Sequence, residues 1–328
     1  METFFPGDQG YDDERGGFQT AFRHRPEVIF GVESADDVRK AVQYATDHDL
    51  AVTVQATGHG TQHEQSGVLI TTKRMTGVRI DPATRTARVE AGALWRHVIE
   101  AAAPHGLAPL SGSSPDVGVI GYTLGGGIGL LAREFGYAKD RVRNVEKIGD
   151  VITAIEIDLL PIERIFGGTM HFPRSREVLD TFLRWTEAAP ETVTTSLGIV
   201  GDTMHVRFAS TKELDLSAWR GATVNTVRWM PFTESGTVYN DPTTPHGYYG
   251  DSVLVSELDP EVILGPAPVF TIVDIRHMGG ALGGPGKYLL RLISPVDDNV
   301  SEVDAHHRNV FARVQPVGHE PTFTYGPH

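Results

Sequence analysis

The chain contains no cysteine among its 328 residues. Disulfides, thiolate zinc sites, iron–sulfur clusters and thiol nucleophiles are thereby excluded together. Long apolar runs are also missing. The longest uncharged stretch, Val117 to Ala132, falls short of the roughly 18 residues a spanning helix needs, and six of its positions are glycine. Positive charge is scarce: 29 Lys and Arg stand against 42 Asp and Glu, for a net charge of −13. Phosphate backbones and anionic membranes are recognised by clustered Lys and Arg, so a general nucleic-acid or membrane-surface binder is not expected. The opening "METFFPGDQGYDDERGG" has no basic stretch followed by an apolar one. A cytoplasmic location is expected on that ground.

What remains has the composition of an ordinary globular protein. Hydrophobic residues make up 40% and charged residues 22%, which argues against disorder and supports a sizeable core. The length predicts two packed domains. "SADDVRKAVQYATDHDL" places Val38, Ala41, Val42 and Ala45 on one helical face, with Ser34 as cap and Asp37 three residues on. The strand "AVTVQ" follows, then a loop around His59, then a strand "GVLITT". A hairpin joins "GVRI" to "TARVEA" through "DPATRT", where Pro82 presets the bend. "LWRHVIEAAAPHGL" reads as a second helix, stopped by Pro104 and Gly106. After the glycine-rich "SGSSPDVGVIGYTLGGGIGLLAREFG" comes a strand, "VITAIEIDLLP". Past Pro161 the helix "SREVLDTFLRWTEAA" precedes the β-rich segments "TVTTSLGIV", "HVRFAS", "VFTIVDIRH" and "KYLLRLISPV", and "VSEVDAHHRNVFARV" closes as a helix. Helices and hairpin-connected strands in separate runs predict an α+β fold.

Glycines at 125, 126, 127 and 129 do not give the spacing of a dinucleotide-binding Rossmann turn. Together with Gly112, Gly118 and Gly121 they still leave bare backbone N–H groups able to cradle a phosphate, or they simply pack a tight turn. His59 stands between Gly58 and Gly60, and His63 lies four residues on. Four is the helical spacing of two metal ligands, but the glycines disfavour a helix there, and no metal site is expected. Ser113 and Ser114 do not form the hydrolase elbow, because Asp116 occupies the place of its second glycine.

Taken in order, "RPEVIFGVESADDVRKAVQYATDHDLAVTVQATGHG", "GVRIDPATRTARVEAGALWRHVIEAAAPHGLAPLSGSSPDVGVIGYTLGGGIGLLAREFG", "VITAIEIDLLPIERIFGGTMHFP" and, further on, "VDIRHMGGAL" resemble the FAD-linked oxidases of the berberine-bridge-enzyme type, within the vanillyl-alcohol-oxidase or p-cresol-methylhydroxylase (PCMH) superfamily. The resemblance implies an amino-terminal arm over 1–25, a PCMH-type FAD-binding domain of two α/β subdomains over 26–165, and a substrate-binding domain over 166–328 with an antiparallel sheet covered by helices. It implies FAD joined covalently to His59, whose loop of Thr57, Gly58, Gly60 and Thr61 meets the pyrophosphate. Gly112, Ser113, Val117, Gly118, Gly121, Tyr122 and Gly126 match the second cofactor-lining stretch. Val151 and Ile152 match the backbone beside the adenine end. The activity implied is hydride removal from a carbon bearing oxygen or nitrogen in a small organic or natural-product substrate, with dioxygen as acceptor. Tyr325 is the candidate base with Tyr122 as its partner, and His277 and Tyr249 are candidate substrate contacts.

Three departures stand out. "SGSSPDVG" lacks the cysteine through which many relatives make a second flavin link. The long segment relatives carry between Arg141 and Val151 is reduced to "VRNVEKIGD". No carboxy-terminal segment returning to the flavin domain is matched after "TFTYGPH". These departures keep open a flavin-fold protein without redox function, serving as a binding scaffold or non-redox cyclase.

Overall fold

The structure is a computed structural model that describes residues 1–297 and 299–317. Three sheets organise it. The first contains β1 (Glu2–Phe4), β2 (Val28–Gly31), β3 (Val52–Gln55) and β4 (Val68–Thr71) in the order β1-β2-β4-β3. Its β2/β4 and β3/β4 pairs are parallel, so this part of the chain contains a crossover connection. The crossover is the helix Ala35–Asp47, in which the Asp37 N–H donates to Ser34 Oγ at 3.2 Å. Val38, Ala41 and Ala45 on its inner face pack on Val28, Phe30, Val68 and Ile70.

The second sheet is antiparallel, with β5 (Val78–Asp81), β6 (Thr86–Glu90), β7 (Val142–Ile148) and β8 (Val151–Asp158) in the order β5-β6-β8-β7. β7 is formed by the segment read from sequence only as a shortened connection. Gly149, at φ 56, turns it straight back into β8. The helix Trp95–Ala102 packs on this sheet through Trp95, Val98 and Ile99, which share a core with Val89, Ile155 and Ile157. That helix ends earlier than "LWRHVIEAAAPHGL" suggested. Pro104 falls in a short 3₁₀ turn over Ala103–His105, and Gly106 leaves it at φ 68.

The third sheet holds β9 (Arg164–Pro173), β10 (Val193–Val200), β11 (Thr203–Ser210), β12 (Val224–Asn225), β13 (Arg228–Pro231), β14 (Tyr248–Val255), β15 (Ile272–His277) and β16 (Tyr288–Pro295). All its pairings are antiparallel, in the order β12-β9-β11-β10-β15-β16-β14 with β13 beside β9. One face, carrying Leu197, Val206, Phe208, Ile275 and Leu290, packs under the helices Arg176–Glu187 and Val300–Ala312 through Leu179, Phe182, Val310 and Phe311. Residues alternate faces along a strand. The opposite face therefore presents Ser196, Arg207, Asp274 and Arg276, all in register across β11, β10 and β15.

Leu197 has no solvent exposure. Leu197→Ala should lower unfolding free energy by about 2–5 kcal/mol, whereas loss of the cap in Ser34→Ala should cost about 1 kcal/mol. Urea denaturation of the two variants checks the order, and equal losses would contradict the placement of the core.

Candidate functional site

β3 ends at Gln55 and the chain opens into the loop that carries His59. Gly58 lies at φ 70, the left-handed region that favours glycine. The loop is pinned by the arm in front of it: the Phe18 N–H donates to Thr57 O at 2.8 Å and the Gln19 N–H to Gly58 O at 3.2 Å. Among the described residues, no protein group accepts from the N–H groups of Gly58, His59 or Gly60. The imidazole of His59 lies flat against the Phe18 ring, with centroids 3.9 Å apart and planes 11° apart. Both of its ring nitrogens are buried and have no hydrogen-bond partner among the described residues. Burial lowers its pKa from 6.5 to about 4, against a raising effect of Asp116, with His246 lowering it further. The ring is therefore neutral at pH 7 and keeps a free lone pair.

The second predicted stretch lies directly alongside. Gly118 caps the short helix Val119–Leu124, and a Cβ there would stand 3.5 Å from Thr57 Cγ2 and 3.6 Å from Ala56 Cβ. Val117 O accepts from the Trp95 N–H at 3.1 Å, which fixes the entry to that helix. Gly121, one turn on, has open space where a Cβ would project. Ser113 Oγ donates to Asp241 Oδ2 at 2.5 Å. Gly126, at φ 108, accepts from the Lys139 N–H at 3.0 Å. Gly112 approaches the Tyr122 ring so closely that a Cβ would meet its Cε2 at 2.9 Å. Val151 is buried and Ile152 half-buried at the start of β8.

The other sequence candidates are placed differently. Tyr122 is set edge-on to Trp95, with centroids 5.5 Å apart, and wedged among Gly112, Gly127 and Gly129. It packs the glycine stretch from within. His277 is buried on the helix-covered side, opposite Tyr288 across β15 and β16. Tyr249 points to that side too: its hydroxyl donates to Asp304 Oδ1 at 2.9 Å, and burial, with the Asp304 bond next, raises its pKa to about 12. Tyr248 opens β14, so the neighbouring tyrosines face opposite ways. Tyr248 takes the His59 side and donates its hydroxyl to His59 O. Tyr325 lies outside the described residues.

Sequence reasoning missed Phe18, Gln19 and Arg291. With Tyr248, Tyr249, Gly250 and His59, the latter two line a small cavity of about 10 Å³. Only the strand alternation that separates Tyr248 from Tyr249 was available as a signal. A larger groove of about 760 Å³, lined by Arg85, His105, Arg164 and Trp229 among others, includes none of the predicted site residues. His63 is exposed, and among the described residues no group of three His, Asp or Glu could hold a metal ion.

Residues 26–150 match the FAD binding domain family. Part of the chain is similar to FAD-linked oxidoreductases. It is 34% identical over 157 residues to (R)-6-hydroxynicotine oxidase of Paenarthrobacter nicotinovorans, covering 46% of this chain and 34% of that protein. It is 31% identical over 145 residues to the FAD-linked oxidoreductase hasG of Aspergillus fumigatus, covering 43% and 31%. The match thus spans about a third of those proteins' length. The fold match is wider. The crystal structure of 6-hydroxy-D-nicotine oxidase from Arthrobacter nicotinovorans superposes with a TM-score of 0.80 at 19% identity, over 95% of this chain and 84% of that one. The carbohydrate oxidase of Microdochium nivale gives 0.79 at 16% over 96% and 86%, and the Physcomitrella patens berberine-bridge-enzyme-like protein 0.78 at 14% over 95% and 85%. The expected PCMH-type fold is therefore present. No helix among the described residues is long and apolar enough to cross a membrane.

The residues present fit an FAD. Free N–H groups, a side-chain-free approach at Gly118 and Gly121, and an unpartnered imidazole converge where the two loops meet.

Acid should destabilise the fold through its buried histidines. Burial is the main cause that lowers His59, His205 and His307 to about 4 and His277 to about 3. Each folded-state pKa lies below the unfolded value, about 6.5 for a histidine. The unfolded chain therefore binds protons first, and stability is complete above that pH and falls as pH drops toward 4. Melting temperatures measured across that range should fall, and less steeply in His277→Asn; parallel profiles would contradict a neutral buried His277.

Proposed function

We propose that the protein is an FAD-linked oxidoreductase with its flavin attached through His59. The observation that carries this reading is the His59 imidazole: neutral, with both nitrogens unpartnered, in a loop whose glycines leave N–H groups available to an anion. The FAD, when bound, supplies the redox chemistry. Thr57, Gly58, Gly60 and Thr61 would hold its pyrophosphate, with Gly112, Ser113, Val117, Gly118, Gly121 and Gly126 lining it and Val151 and Ile152 beside the adenine. His59 would hold the flavin through a bond from an imidazole nitrogen to the benzenoid methyl carbon, in place of one methyl C–H and the imidazole N–H, and dioxygen would take up the two electrons and two protons as hydrogen peroxide.

In this reading residues 1–25 form an arm, 26–165 the FAD-binding domain and 166–328 the substrate-binding domain. The substrate is a small organic molecule that loses hydride from a carbon bearing oxygen or nitrogen, and dioxygen is the acceptor. Tyr248 joins His277 and Tyr249 as a candidate substrate contact: its hydroxyl donates to His59 O, that of Tyr249 donates to Asp304, and both tyrosines line the small cavity beside His59. Tyr122 is committed to packing against Trp95, which leaves Tyr325 as the candidate base. One observation favours a second reading, a flavin-fold scaffold without redox function: the tight turn at Gly149 stands where relatives carry a long cofactor-holding segment.

Acid precipitation separates the two. Purified protein should give a yellow pellet and a flavin-fluorescent band on a denaturing gel, and His59→Ala should abolish both. A colourless pellet with no flavin absorbance in the native protein overturns the oxidoreductase reading. Covalent flavin retained in His59→Ala overturns the anchor.

A further inference from the structure

The arm Gly17–Thr20 lies outside the cofactor-lining motifs, yet it touches His59 and everything that holds His59. A Cβ on Gly17 would stand 2.9 Å from Gly58 Cα, and one on Gly58 would stand 2.8 Å from Gly17 Cα, so the two backbones meet with no room for a side chain. This contact sets the Phe18 ring parallel to the imidazole at 3.9 Å. Gln19 ties the arm to β14: its Oε1 accepts from the Tyr248 N–H at 3.2 Å, and its Nε2 donates to Tyr248 O at 2.5 Å. Tyr248 closes the ring of contacts by donating to His59 O.

The orientation of an imidazole is ordinarily set by a hydrogen bond to one of its nitrogens. Neither nitrogen of His59 has one. Its plane is set instead by the stacked Phe18, which covers one face. The lone pair of an imidazole nitrogen lies in the ring plane, so fixing that plane fixes the direction from which the nitrogen approaches a carbon. We propose that Phe18, held by Gly17 and Gln19, is a positioning residue for flavin attachment at His59. This inference rests on the anchor proposed above.

The test follows attachment kinetics in the full chain, prepared as apoprotein from riboflavin-starved cells and mixed with FAD. Acid-stable flavin, total bound flavin and melting temperature are recorded for wild type, Phe18→Leu and Phe18→Tyr. Phe18→Leu fills the volume without an aromatic plane. It should bind FAD and melt as wild type does while attaching it about tenfold or more slowly, the scale of a lost reacting geometry. Phe18→Tyr, which keeps the ring, should restore the rate to within about twofold. Attachment at the wild-type rate in Phe18→Leu overturns the inference and leaves the anchor intact. A slow Phe18→Leu that Phe18→Tyr does not rescue, or one that binds less FAD in proportion, also overturns it. Absence of covalent flavin from the wild type overturns the anchor itself, and the inference with it.

Discussion

The candidate site depends on a single steric constraint, the contact of two bare backbones at Gly17 and Gly58. A Cβ at Gly17 would stand 2.9 Å from Gly58 Cα and one at Gly58 2.8 Å from Gly17 Cα, closer than packed atoms allow. The contact lets the arm donate two main-chain hydrogen bonds to the loop, and those bonds bring the Phe18 ring over the imidazole. Burial then keeps the imidazole neutral. The chemistry proposed for His59 is thus a consequence of backbone packing. No acid or base beside it is needed to deprotonate an imidazole that burial already holds without a charge.

A second seam locks the glycine stretch to the third sheet. Arg133, just after that stretch, is buried, and its guanidinium donates to Met278 O at 3.0 Å, Pro190 O at 2.9 Å and Val193 O at 2.7 Å. No carboxylate pairs with it at close range among the described residues, and carbonyl dipoles carry the solvation of the charge. From the other side, Arg276 Nη1 donates to Ile128 O at 3.0 Å. Each such charge-assisted bond is strong, and leaving one unmade in a buried place is costly. The polar face of the sheet is therefore held against the stretch that lines the proposed cofactor site. Asp274, 3.4 Å from Arg207 and 3.8 Å from Arg276, balances part of the positive charge along the seam.

The shortened segment before Val151 has its own structural answer. Val142–Ile148 pairs with β8 as an edge strand, with irregular register at Val142/Asn144 and Glu146/Lys147. Its end packs into the first-sheet core, where Ile148 and Val151 join Val28, Val38 and Val68. A Cβ on Gly149 would lie 3.7 Å from Val42 on the crossover helix. A hairpin thus closes this segment with an intact core.

The sequence by itself determined the local elements: the capped helix from Ala35, the hairpin around "DPATRT", the antiparallel strands of the second half and the loop with its isolated His59. Each rests on periodicity, capping or turn chemistry that acts within a few residues. The resemblance carried by the glycine motifs identified the cofactor. Tertiary structure alone decided which side chains share the site. Phe18 and His59 are brought together by a backbone contact between distant segments, and no local pattern encodes it. Tyr248 and Tyr249 part company because "HGYYGD" belongs to a strand, whose alternation sends one hydroxyl to His59 and the other to Asp304. Tyr122, a candidate by motif, is turned inward because the glycines around it leave a space that only its ring fills.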